Sequence, residues 1–118
     1  MEQKIVSFKV AKAIKDAGYP QGETDEVYTT DGNLERFSCG GVPGIVCCDA
    51  PYVMDVWLWL WRENGIKIDI TTYFDSIKGY KSLATILCYK YTYSIECSDP
   101  EEAIKSAIEY LCDNNLIK

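Results

Sequence analysis

The residues best equipped for chemistry in this chain are its six cysteines, Cys39, Cys47, Cys48, Cys88, Cys97 and Cys112. A thiol near a helix N-terminus has a depressed pKa and becomes nucleophilic. Cys47 and Cys48 precede Asp49, at the mouth of a segment that reads as a helix, so Cys48 is the reactive-thiol candidate. Two features oppose it. Asp49 disfavours a neighbouring thiolate, and no basic partner adjoins it. The chain has no histidine, which removes the commonest general base and most zinc sites. It also has no CxxC pair. No nucleophile-plus-base arrangement emerges, so no catalytic residue, cofactor or metal is assigned. The other reading of the cysteines is structural, at core positions of strands and a helix. A reducing compartment would keep them unpaired.

The elements that would position such groups follow from periodicity. Ala50–Asn64 contains all three tryptophans and reads as a helix, with Asp49 as N-cap, Pro51 in the first turn and Gly65 as terminator. At 100° per residue, Val53, Val56, Trp57 and Leu60 form one stripe, with Met54, Leu58 and Trp61 beside it. Trp59 falls among Asp55, Arg62 and Glu63. Something must cover that indole, either the same chain or another molecule. Trp59, Asp55, Arg62 and Glu63 are therefore the interaction candidates. This helix is expected at the centre of the helical layer.

A first helix, Phe8–Ala17, is predicted from the Ser7 cap and the Gly18 stop. Glu26–Phe37 reads as an exposed or edge hairpin turning at Asp31-Gly32. Ser38–Gly44 is glycine-rich, yet it lacks the Gly-Lys-Ser/Thr ending of a phosphate loop and reads as a mobile loop, a rim to a site. A short strand, Ile45–Cys48, follows it. Ile66, Ile68 and Ile70 alternate with Lys67, Asp69 and Thr71 in a strand reaching Phe74, and Asp75–Gly79 is a turn. Tyr80–Cys97 is too long for one ordinary strand and is divided into Lys81–Cys88 and Tyr91–Cys97. A single bent strand is the rival reading, since Leu83, Leu87, Tyr89, Tyr91, Tyr93 and Ile95 share one parity. The last helix runs from Pro100 to about Cys112, capped by Asp99 with Glu102 closing a capping box, and Asn114-Asn115 terminate it.

These elements predict a single α+β domain over residues 1–118. Its expected architecture is a mainly antiparallel sheet of four to six strands with three helices packed mostly on one face. Hydrophobic content of 47% and charged content of 25% are those of a globular protein. The net charge of −6 argues against nucleic acid, which selects a basic face. No apolar run could span a membrane, and the N-terminal residues lack a signal-peptide core, so a cytoplasmic setting is expected.

Several pieces of the chain resemble a group of small uncharacterised proteins of gut Bacteroidales, their phages and mobile elements. They are Val6–Tyr19, Ala50-Pro51 leading to Asp55-Val56, Leu60–Glu63, Gly65–Ile68, Glu101–Ile104 and Ala107-Ile108. The resemblance implies a source, a bacterial or phage-infected cell, and a fold, but carries no activity to transfer. The functional expectation is a small cytoplasmic module for protein interaction or self-association. The alternatives are a thiol-dependent enzyme using Cys48 and a nucleic-acid-associated accessory protein.

Overall fold

The computed structural model describes residues 4–36, 41, 44–88 and 91–117, with the backbone alone described at 88, 91 and 92. Its elements are α1 (Phe8–Asp16), β1 (Glu26–Thr29), β2 (Leu34–Arg36), β3 (Val46–Asp49), α2 (Val53–Asn64), β4 (Lys67–Asp75), β5 (Gly79–Cys88), β6 (Tyr91–Cys97) and α3 (Pro100–Asp113). The fold is α+β. Among the described residues, six strands divide into two antiparallel three-stranded sheets, ordered β2-β1-β3 and β4-β5-β6, where the sequence suggested one sheet. The division falls at α2, which separates the two groups in the chain.

Both outer helices begin and end through local chemistry. The Ser7 hydroxyl accepts from the Val10 N–H at 3.3 Å, and the Asp99 carboxylate accepts from the Glu102 N–H at 2.9 Å. Each satisfies one orphan donor of a first turn. The C-termini share a Schellman closure. In α1 the Tyr19 N–H reaches the Ile14 carbonyl at 2.9 Å and the Gly18 N–H reaches Lys15 at 3.0 Å. In α3 the Leu116 N–H reaches Leu111 at 2.9 Å, with Asn115 taking the positive φ of 54° that glycine usually supplies.

α2 starts later than the sequence suggested, and Asp49 is not its cap. Asp49 is the last residue of β3 and pairs with Val27. Its N–H donates to Gln21 Oε1 at 2.8 Å, and its Oδ2 accepts from the Glu23 N–H at 3.0 Å. The chain then stays extended because the N-terminal segment gives it partners. The Val6 N–H donates to the Pro51 carbonyl at 3.1 Å and the Val53 N–H to Lys4 at 2.9 Å. Helix starts at Val53, with no side-chain cap on its N-terminus.

The first hairpin also differs from expectation. Thr30–Asn33 connect β1 to β2, the Thr29 N–H donates to the Asn33 carbonyl, and Gly32 alone has positive φ, 84°. This is a four-residue loop, not a two-residue turn. Nor is the whole hairpin peripheral: β1 is the central strand, with Val27, Tyr28 and Thr29 buried. Most of the glycine-rich segment, including Cys39, lies outside the described residues, as do Tyr89 and Lys90.

β5 and β6 are two strands, and their register explains the misleading parity. Cys88 faces Tyr91 and Leu83 faces Glu96, so odd residues of β5 sit opposite even residues of β6. Opposed residues share a face. Ile68, Ile86 and Tyr93 therefore line one face with Ile70, Ala84 and Ile95. Leu83 and Leu87 project from the other.

One core cluster joins all three helices to both sheets, from Val10 and Ile14 through Cys48 and Leu60 to Ile86 and Ile108. Its centre is α3, which touches α1, α2, β4, β5 and β6, whereas α2 touches α3 and β4. Ala103 and Ala107 permit close approach on one side, while Ile104, Ile108 and Leu111 fill the other; all are buried. The radius of gyration, 15.4 Å, exceeds the value of about 13.5 Å for a compact chain of this length. The long axis is 51 Å.

Candidate interaction surface

Cys48 belongs to β3 and is 2% exposed. Burial, followed by the neighbouring Cys47, pushes its thiol up to about 11. Cys112 is likewise raised to about 11, chiefly by burial. Only the thiolate is a nucleophile, so Cys48 is a poor one at neutral pH. We predict that iodoacetamide labels Cys48 more slowly than a free thiol at pH 7.5, as read by mass spectrometry of the digested protein. Labelling at or above the free-thiol rate would contradict this environment. Among the described residues no group of three or more His, Cys, Asp or Glu side chains could hold a metal ion.

The tryptophans of α2 have three different fates. Trp57 donates its indole N–H to the Ile68 carbonyl at 2.8 Å, which ties α2 to β4. Trp59 is half-buried and meets Tyr19 edge-on, with ring centroids 5.1 Å apart and planes at 77°. Burial, then the nearby charges of Asp55, Glu23 and Asp49, raises the Tyr19 hydroxyl to about 12. The Trp59 pair thus lies in an electronegative neighbourhood. Asp55, Arg62 and Glu63 are exposed around it. Trp61, 55% exposed, is the outermost of the three, with the Lys67 ammonium 5.9 Å from its ring centre.

Beside the first turn of α2 lies a cleft of about 140 Å³, lined by Glu23, Asp25, Glu26 and Asp55 with Ile5 and Tyr52. Its lining sets four carboxylates beside a few apolar side chains. Its volume falls below the ~300–1,000 Å³ of ordinary small-molecule sites.

Three of the four most exposed large apolar residues among those described lie together elsewhere; the fourth, Ile45, stands alone before β3. β6 ends with Cys97 opposite Ser82. β4 and β5 continue as a pair from Tyr73–Lys81 to Asp75–Gly79. The result is a two-stranded arm. Its turn is fixed by Asp75, whose Oδ1 accepts from the Ile77 N–H at 2.8 Å and the Lys78 N–H at 2.9 Å. Those two bonds, Lys78 first, hold the Asp75 carboxyl below its ordinary value. Gly79 closes the turn at φ 81°, where a side chain would be strained. At the base, the Tyr73 hydroxyl donates to the Glu96 carboxylate.

The arm presents Phe74, Ile77 and Tyr80 to solvent at 64%, 92% and 70% exposure. Phe74 and Tyr80 pair edge-on at 5.1 Å, so their rings are ordered against each other. The sequence did mark a turn here, and an isoleucine within a turn was the available signal of an outward-facing contact. None of the arm residues is among the interaction candidates, which all lie on α2 with the tryptophans.

No helix among the described residues is long and apolar enough to cross a membrane. No protein-family model matches the chain, and comparison with curated proteins and with solved structures finds no match.

Proposed function

We propose that this protein is a small interaction module whose contact surface is the β4–β5 arm. The observation that carries the reading is the projection of Phe74, Ile77 and Tyr80 on an ordered hairpin beyond the end of β6. Isolated exposed apolar residues are ordinary, but clustered ones on a projecting element mark contact sites. Aromatic residues are also enriched at interface cores. Ordering by Asp75 and Gly79 lowers the entropic cost of docking, since the turn is already formed. The net charge of −6 opposes a phosphate backbone as the partner. A cytoplasmic role in a bacterial or phage-infected cell fits the resemblance to proteins of phages and mobile elements.

The test places a photo-reactive benzoylphenylalanine at position 77 of the full chain. Irradiation of cells making this protein is expected to give discrete protein–protein adducts. Irradiation without any adduct would sink the reading.

A further inference from the structure

We infer that the arm's partner is a second copy of this chain, each arm seated on the acidic end of the other; this rests on the interaction reading above. The direction of the chain supplies the first argument. α2 and β4 are packed together and joined only by Gly65 and Ile66, so they run antiparallel. The 12 residues of α2 span about 18 Å, while the 9 of β4 span about 30 Å. β4 therefore outruns the helix and leaves the body at the end where the first turn of α2 begins. That is the end holding Tyr52, Asp55 and the acidic cleft.

The same end is acidic beyond the cleft. β6 finishes there, so the N-terminus of α3 lies there too, with Asp99, Glu101 and Glu102. Glu101 accepts the Lys4 N–H at 3.1 Å, and Glu102 pairs with the Lys4 ammonium at 3.4 Å. The tip of the arm has the opposite character. Lys78 and Lys81 flank the exposed apolar residues, and its one carboxylate, Asp75, is bonded to the turn.

A cationic, apolar tip and an acidic cleft that also holds Ile5, Ala50 and Tyr52 are thus two complementary surfaces of one chain, at one end of it. A two-fold axis at that end lets each arm reach the other copy's cleft and closes the assembly. The cleft, at about 140 Å³, has the scale of one docked side chain. Electrostatic complementarity of this kind fixes register and partner choice. The acidic base also opposes an anionic lipid surface as the occupant, because the arm would have to bring those carboxylates to it.

The test is light scattering after size exclusion on the full chain, using charge exchange. Wild type is expected to be a dimer. Lys78→Glu/Lys81→Glu makes arm and base both negative, and Glu23→Lys/Asp25→Lys/Asp55→Lys, which leaves Glu26 as the one carboxylate of the cleft lining, makes both positive. Each variant alone is expected to be a folded monomer by circular dichroism and scattering. Their equimolar mixture is expected to recover the dimer, because both arm–base contacts are again complementary. Ile77→Asp, which alters the tip without touching the core, should give a monomer that neither charge variant rescues.

A monomeric wild type, or charge variants that stay dimeric, or a mixture that stays monomeric, would each overturn the inference. The interaction reading is judged separately. A monomeric wild type that yields adducts with a different protein from position 77 overturns only the second copy. One that yields no adduct overturns both.

Discussion

Ile108→Ala is expected to lower the unfolding free energy by about 2–5 kcal/mol, the range for removing a buried isoleucine side chain beyond its Cβ. Ile108 is completely buried in α3, the helix in contact with both other helices and with β4, β5 and β6. Layers that meet at one helix leave little freedom to collapse around a cavity, which places the cost toward the upper part of that range. Domains of this kind have about 5–15 kcal/mol in total, so the variant removes a large share. Urea denaturation with the slope held constant measures it. A loss below about 1 kcal/mol would mean that α3 is not the centre of the core.

Trp59 and Trp61 should separate in the same assay although they sit two positions apart. Trp59→Glu removes the edge-on contact with Tyr19, worth about 0.5–1.5 kcal/mol beyond its area. It also places a carboxylate close to the Tyr19 ring, where the charges of Asp55, Glu23 and Asp49 are already felt. Lost burial and added repulsion together are expected to cost about 2–4 kcal/mol, short of the full penalty for a wholly buried tryptophan. Trp61→Glu loses an exposed ring and a Lys67 contact, worth about 0.5–1 kcal/mol at such a site. Glu at 61 also leaves a carboxylate near Lys67 to recover part of that. A Trp59→Glu protein as stable as wild type would contradict the covered position of this indole.

The parts of the fold legible in the sequence were those decided by local chemistry. Ser7 and Asp99 cap helices because a short oxygen-bearing side chain answers the free N–H groups beside it. Gly18 and Gly65 end helices at φ 101° and 67°, where only glycine is unstrained. Length favoured a break between β5 and β6, but the shared parity left a single bent strand as the rival, and the pairing of the two strands decides between them.

The parts that escaped depend on partners distant in the chain. Asp49 has the composition of a cap, but Gln21 and Glu23 claim it from 28 and 26 positions away, and Lys4 and Val6 keep Ala50–Tyr52 extended. Local propensity yields to such pairing. The two-sheet division was hidden for the same reason, since no local pattern says which strands pair. The prominence of the tryptophans gave α2 the central place that α3 holds. α3 reaches it through small residues, Ala103 and Ala107, which carry little weight in an apolar pattern but allow close packing.

The arm was hidden by a difference in length. β4 and β5 read as ordinary strands, and nothing local indicates that β6 ends opposite Ser82 while they go on. Phe74 has the parity of Ile68 and Ile70, and so reads as a core residue. It is 64% exposed, in the part of the β4–β5 pair that runs past the end of β6.

Photo-crosslinking from position 77, compared with the same group at Leu34, tests the arm as a contact surface most directly. Both side chains are exposed, but only Ile77 belongs to the arm. Discrete adducts from position 77 and none from position 34 are the predicted result, with an adduct of twice the chain mass if the second copy is the partner. Equal labelling from both positions, or none from either, would contradict the account.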